Sequence, residues 1–183
     1  MQMDPTQRPI GSPPAGDDGP VWRVSNRALA RLLARHRPLL GTAVSRAEAI
    51  GRGIDALRPL MLNLCRRTCR FCPEPCCITN TVWFDFKDLL FFHLQGIAIP
   101  ARQAATECGV ACPFLGGHGC RLDVCSRPWM CIHYLCPAQR SVLHKLGPST
   151  ERELLGNLAL IADWRDRMEA EVVRQIRRSR STA

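Results

Sequence analysis

The sequence predicts a mostly α fold: a small helical domain around a Cys-rich, loop-rich centre. Three observations lead there. Apolar residues recur at spacings of three and four near both ends of the chain, the signature of amphipathic helices. All 11 Cys lie between Cys65 and Cys136. Strand signals are scarce. With 183 residues, 46% of them hydrophobic and 22% charged, the chain has the length and balance of one globular domain.

The elements follow in order. Residues 1–20 contain Pro5, Pro9, Pro13, Pro14 and Pro20 and bury too little apolar surface to offset ordering entropy, so they are expected to be a disordered tail. Residues 21–183 then form a single domain, with N-terminal helices over 25–64, a Cys-rich centre over 65–137 and a C-terminal helix over 150–178. Asn26 is the expected cap of the first helix, which carries Leu29, Leu32 and Leu33 inward and Arg27, Arg31 and Arg35 outward; Pro38 should break it. Ser45 and Glu48 form a capping-box pattern for a second helix. Its apolar face is Ala47, Ile50, Ile54, Leu57, Met61 and Leu64, with Pro59 expected to kink or restart it. Asp85 should cap a helix carrying Leu89, Leu90, Phe92 and Leu94, with Gly96 ending it and Thr81–Trp83 extended before it. Thr150 and Glu153 pattern as a further capping box. They open a long helix whose buried face is Leu154, Leu158, Ile161, Trp164 or Arg165, Met168 and Val172. Arg174, Arg177, Arg178 and Arg180 suit its C-terminal dipole.

An odd Cys count excludes a fully paired disulfide framework within one chain. No apolar run approaches the ~20 residues of a membrane span. The first residues lack the apolar core of a secretory signal. The expected location is therefore cytoplasmic, where thiols stay reduced. The net charge is +9. Basic charge without a base-reading motif leaves nucleic acid an unexpected partner, and no membrane partner is expected.

The chemistry is carried by two groups of cysteines. The first reads Cys65-Arg-Arg-Thr-Cys69-Arg-Phe-Cys72-Pro-Glu-Pro-Cys76-Cys77. The second comprises Cys108, Cys112-Pro-Phe-Leu, Gly119-Cys120, Cys125, Arg127-Pro128-Trp-Met-Cys131 and Cys136. Thiolates a few residues apart can grip one ion from a single turn, and soft sulfur selects zinc, iron–sulfur clusters or copper(I) over magnesium or calcium. A buried free Cys is common in cores, but 11 grouped by short spacings are poorly explained that way. Adjacent Cys76 and Cys77 should not share one small ion. His118 and His133 could each replace a thiolate, although an exposed turn residue and a packed residue are the readings favoured for them. Asp85 and Asp88 read as helix-start residues, and Trp83, Trp129 and Trp164 as core anchors. No catalytic residue is assigned.

The run Cys69-x-x-Cys72-x-x-x-Cys76-Cys77, followed by Cys112-Pro-Phe-Leu, Gly119-Cys120-Arg-Leu, Arg127-Pro128-x-x-Cys131 and Cys136, resembles the YkgJ-like cysteine-cluster family of bacterial proteins. That family is described as a zinc- or iron-chelating domain. The resemblance covers roughly Cys65 to Pro137 and implies a metal-binding centre ligated by Cys69, Cys72, Cys76, Cys77, Cys112, Cys120, Cys131 and Cys136. Three residues rather than two separate Cys72 from Cys76, and Cys65, Cys108 and Cys125 are extra.

Cys65-x-x-x-Cys69-x-Phe71-Cys72 also resembles the cluster motif of radical S-adenosylmethionine enzymes. The remaining chain of about 110 residues is too short for their barrel. The expected function is thus chelation of zinc or iron by clustered thiolates, with metal ions as the partners. An iron–sulfur redox or methyltransferase-type enzyme and a zinc-stabilised basic nucleic-acid binder are the alternatives. Both Cys groups are expected to meet at one centre, with the Arg127-Pro128 turn aiming Cys131 inward.

Overall fold

The computed structural model describes residues 19–104, 108–117 and 119–181. The chain folds as a small, mostly α domain, as its periodicity predicts. Residues 1–18 of the expected tail lie outside the described residues; Gly19 and Pro20 already belong to helix α1, Gly19–His36. This helix starts well before Asn26. Pro20 suits a first helical turn, where its missing N–H is no loss, and Trp22 anchors that turn by donating from Nε1 to the Pro100 carbonyl at 2.8 Å. Asn26 is therefore not a cap. It is buried inside the helix, with Nδ2 donating to the Trp22 carbonyl at 2.9 Å.

A 3-10 turn over Arg37–Leu39 contains Pro38 and breaks the chain as expected. Helix α2 then spans Gly41–Thr68. Its start precedes Ser45, whose Oγ donates backward to the Gly41 carbonyl at 3.2 Å instead of forming a capping box. Pro59 sits inside the continuous helix and does not restart it. The predicted apolar face is correct: Ala47, Ile50, Ile54, Leu57, Met61 and Leu64 are all buried.

A short 3-10 turn over Cys69–Phe71 and helix α3, Cys76–Thr79, follow. Helix α4 spans Phe86–Gln95 with the caps read from sequence: Asp85 and Asp88 form a reciprocal capping box, and Gly96 closes the helix with φ 67°. Two short strands, β1 Leu115–Gly116 and β2 Gly119–Cys120, pair antiparallel with Leu115 opposite Cys120. After a 3-10 turn at Val124–Ser126 come α5 (Trp129–His133), α6 (Pro137–Leu146) and α7 (Pro148–Ser181).

Helix α6 has no counterpart in the sequence expectations. Its cap is Cys136: the Gln139 amide donates to Cys136 Sγ at 3.4 Å, and the Cys136 amide donates to Gln139 Oε1 at 3.2 Å. Pro137 at the first helical position completes the start. In α7 the helix begins at Pro148. Thr150 lies within its first turn and donates to the Leu146 carbonyl at 3.5 Å, so the Thr150–Glu153 capping box is not formed.

Helix α7 packs along α2. Gly53 of α2 faces Ile161 and Trp164, while Ser179 near the end of α7 meets His36 at 3.3 Å, so the two helices run antiparallel. Leu154, Leu158, Ile161, Met168 and Val172 of α7 are buried, as expected, and so is Arg165. Phe91 and Phe92 of α4, and Phe84 just before it, extend this core, with Phe84 packed on Trp22, Phe92 and Phe114. Gln103 ties the chain before α4 to the chain after it. Its Oε1 accepts from the Phe84 and Ala104 amides, and its Nε2 donates to the Phe84 carbonyl. The core thus lies under α2, α4 and α7, and the cysteine segments form one end of the domain.

Candidate metal centre

Helix α2 delivers the first cysteine at its last turn. Cys65 lies one turn before Cys69, and the helix tightens into the 3-10 turn at Cys69. Pro73 disfavours helical backbone at the residue before it. Cys72 is accordingly extended, with φ −76° and ψ 118°. Only Cys65 and Cys69, one helical turn apart, therefore share a face at the end of α2. The chain then turns through Pro75 into α3, which opens on the adjacent pair Cys76 and Cys77.

The second group closes onto the first through backbone as well as side chains. The Cys112 amide donates to the Cys77 carbonyl at 2.8 Å, and the Gly109 amide to the Ile78 carbonyl at 2.8 Å. Gly119 has φ 104°, and a Cβ built there would stand 3.4 Å from Cys69 Cβ. That left-handed residue brings β2, and with it Cys120, against the end of α2. Arg127 is 6% exposed; its Nε donates to the Leu122 carbonyl at 3.1 Å and its Nη1 reaches Cys65 Sγ at 3.7 Å. Gln139 Nε2 approaches the same sulfur at 3.8 Å. The two cysteine groups therefore meet at one centre.

The thiols form pairs that unequally share protons. Cys69 donates to Cys65; this bond, helped by the Arg127 charge, brings the Cys65 thiol down to about 6 and holds Cys69 well above the usual thiol range. Cys77 likewise donates to Cys76, which falls to about 7 while Cys77 rises. Burial pushes Cys120 and Cys131 up. The charge of Cys112 is felt at Cys77, Cys120 and Cys131, that of Cys76 at Cys69 and Cys131, and that of Cys65 at Cys69, Cys76 and Cys120. Cys65, Cys69, Cys76, Cys77, Cys112, Cys120 and Cys131 thus constitute one electrostatically connected group. Cys136 adjoins it through Gln139, which contacts both Cys136 and Cys65.

The remaining cysteines lie elsewhere. Cys108 is exposed and donates to the Thr79 carbonyl at 2.8 Å. Cys125 lies in a polar cluster, with Arg58 Nη2 at 2.9 Å and Asp55 Oδ1 at 3.2 Å. Cys72 contacts the centre through its amide, which donates to the Cys69 carbonyl at 3.4 Å. His118 lies outside the described residues. His133 is exposed rather than packed, stacks on Trp129 and shares a hydrogen bond with the Trp129 carbonyl. All 11 cysteines are free thiols.

Among the described residues, no three His, Cys, Asp or Glu side chains stand in a ready metal-holding arrangement. The donor chemistry nonetheless fits a soft ion: sulfur is abundant, half-buried and drawn from both groups. Sequence reasoning left Cys65 outside the ligand set, although its four-residue spacing from Cys69 places the two one helical turn apart. Gln139 carried no signal beyond its place three residues after a cysteine.

The centre is braced from behind. The Trp129 amide, opening α5, donates to Asp88 Oδ1 at 3.0 Å, two residues before Cys131. The Arg165 guanidinium lies over the Trp129 ring, 5.3 Å from its centroid, and also bonds both oxygens of Asp85. The helix-start residues Asp85 and Asp88 thereby link α4, α5 and α7. Trp83, Trp129 and Trp164 are half-buried; the most buried tryptophan is Trp22.

No protein-family model matches the chain, and no curated protein or solved structure matches it.

Proposed function

We propose that this protein chelates zinc or iron through its clustered thiolates. The observation that carries the reading is the convergence of two cysteine groups, separated by some thirty residues of chain, onto one centre where Arg127 and Gln139 are the buried donors aimed at sulfur. Cysteines that merely filled a core would not need a buried guanidinium beside them. Thiolates need compensating charge, which Arg127 supplies. The resemblance to the YkgJ-like cysteine-cluster family supports the same chemistry.

Cys65, Cys69, Cys76, Cys77, Cys112, Cys120 and Cys131 would hold the ion or ions, with Cys136 at the edge of the group and Cys72 as a further ligand implied by the family resemblance. A bound zinc or iron ion would supply a cross-link between the two groups, and structural zinc contributes about 10–16 kcal/mol in small peptides. Closing the intervening loop costs only a few kcal/mol, because that entropy grows with the logarithm of length. Arg127 would hold Cys65 in place, and Gln139 would fix the entry of α6 beside it.

Elemental analysis of protein purified without oxygen tests this. Stoichiometric zinc in colourless protein, or iron with visible charge-transfer absorption, is expected. A metal-free, fully reduced protein with the same thermal transition as protein supplied with zinc or iron would falsify the reading.

A further inference from the structure

Residues 19–47 contain Arg23, Arg27, Arg31, Arg35, Arg37 and Arg46 and no Asp or Glu. Residues 172–181, the last turns of α7, contain Arg174, Arg177, Arg178 and Arg180, again without a carboxylate. The contact of His36 with Ser179 joins these two stretches at the end of α1. Arg23, Arg27, Arg31 and Arg35 are all exposed and follow one another at four-residue intervals, opposite the buried Trp22, Asn26 and Leu33. Four residues of helix rise about 6 Å, so the stripe runs for about 18 Å.

Some surface cations are matched: Arg58 pairs with Asp55 and Asp123, Lys87 with Asp166 and Glu169, Arg167 with Asp163, and Arg174, within the last turns of α7, with Glu171. Others, among them Arg52, Arg66, Arg67, Arg70 and Arg152, are exposed with no ion pair among the described residues, so the α1 stripe is set apart by its regular spacing and by the absence of carboxylates around it. Arg23, Arg27, Arg31, Arg35, Arg177 and Arg180 have no ion-pair partner among the described residues and are exposed. The cations of the chain are almost all arginine, with only Lys87 and Lys145 as lysines. Arginine presents a planar fork that matches phosphate oxygens two at a time.

We infer that this arginine face binds the phosphate backbone of duplex DNA, without reading its sequence. Single strands are held on exposed aromatic platforms, and the one aromatic residue of α1, Trp22, is buried. An anionic membrane surface would attract the same charge, but lasting attachment also needs an apolar helix face to insert; α1 commits Trp22 and Leu33 to the core and exposes only Val21 and Val24 as large apolar side chains. Each four-residue step turns the row by about 40°, so the arginines wind gently along one side of α1, and such a stripe suits a rigid, regularly charged duplex. The absence of a base-reading motif argues against sequence-specific recognition only; backbone binding needs none. The inference does not depend on a metal at the cysteine centre.

The test is fluorescence anisotropy of a labelled 30-base-pair duplex of mixed sequence, titrated with the full chain at several salt concentrations. Six phosphate contacts predict that log affinity falls against log salt with a slope of about −5, so binding weakens roughly a thousandfold between 50 and 200 mM salt. The triple variant Arg27→Gln, Arg31→Gln, Arg35→Gln keeps exposed helix positions filled by a good helix former. It should bind more weakly and show a slope reduced to about −3, a fall of roughly sixtyfold over the same salt range. The matched variant Arg52→Gln, Arg152→Gln, Arg167→Gln removes the same charge from other surfaces and should keep the original slope. Circular dichroism checks that both variants stay folded. Equal loss in the two triple variants would show that net charge alone acts and would overturn the assignment. So would failure to bind the duplex at 50 mM salt, or stronger binding to phosphatidylserine vesicles or to single-stranded DNA than to the duplex.

Discussion

Arg165 Nη1 lies 2.9 Å from Asp88 Oδ1, and both side chains are only 3% exposed. The pair ties the middle of α7 to the first turn of α4, and through the Trp129 amide to the start of α5. A buried carboxylate left without its partner is costly, typically about 3–5 kcal/mol. Arg165→Met is therefore expected to destabilise the protein by about that amount in urea unfolding. Arg167→Met, which removes a surface ion pair with Asp163, should change stability by less than about 1 kcal/mol. Similar losses in the two variants would refute the role given to Arg165.

Two helical glycines differ in what surrounds them, and their substitutions should have opposite signs. At Gly53 an added Cβ would meet Ile161 Cγ1 at 2.8 Å, and Ile161 is fully buried. This glycine sets the close approach of α2 and α7. Gly53→Leu is expected to cost about 1–3 kcal/mol through overpacking. Gly156 on α7 is exposed, with nothing within 4 Å of the added carbon. Gly156→Ala should stabilise by about 0.5–1 kcal/mol, because alanine loses less freedom on entering a helix. Thermal melts of the two variants moving in the same direction would contradict this account.

Helix faces were legible in the sequence where many residues vote together. The inward residues of α2 and α7 follow from periodicity alone, and Arg165 was one of the two candidates at its position. Helix starts were legible only at Asp85, where the cap and the apolar run agree. At Asn26, Ser45 and Thr150 a plausible capping residue lies inside a longer helix, because tertiary anchors such as Trp22 or a preceding proline outweigh a local cap worth ~1 kcal/mol. Helix α6 was hidden because its cap is the sulfur of Cys136, a residue read only as a ligand. In the candidate centre, the meeting of the two groups was legible from loop length and from the Arg127-Pro128 turn. The place of Cys65 depends on where α2 tightens, which spacing does not reveal, whereas the extended backbone of Cys72 follows from Pro73, which the sequence does show.

Cys125 offers a pH-dependent test outside the cysteine centre. Burial, then a hydrogen bond to Asp55 and that carboxylate's charge, push its thiol up to about 11, with Arg58 pulling the other way. The thiolate is the nucleophile, so Cys125 should alkylate slowly at pH 8 and speed up towards pH 11. Asp55→Asn removes the negative neighbour and should shift that profile to lower pH. Arg58→Gln should shift it upward. Peptide-resolved mass spectrometry after iodoacetamide labelling reads the rate at this one cysteine, and an unchanged profile in Asp55→Asn would count against the assigned cause.

Metal content of single Cys→Ser variants tests the division of the cysteines most directly. Cys65 shares a proton with Cys69 and receives Arg127 and Gln139 at its sulfur, whereas Cys108 is bound to the Thr79 carbonyl and Cys125 to the Asp55–Arg58 cluster. Cys108→Ser and Cys125→Ser should therefore retain the zinc or iron of the unaltered protein, within the error of elemental analysis. Cys112→Ser and Cys131→Ser should lose most of it, since their neighbours come from both cysteine groups. Cys65→Ser should fall between these limits or with the second set, because serine keeps a polar atom near Arg127 but is a poor soft ligand. Arg127→Gln separates ligation from support. It leaves every sulfur in place and removes the compensating charge, so its metal content should drop at low metal supply and recover when metal is in excess. Loss of metal in Cys125→Ser with retention in Cys112→Ser would reverse the assignment of the centre.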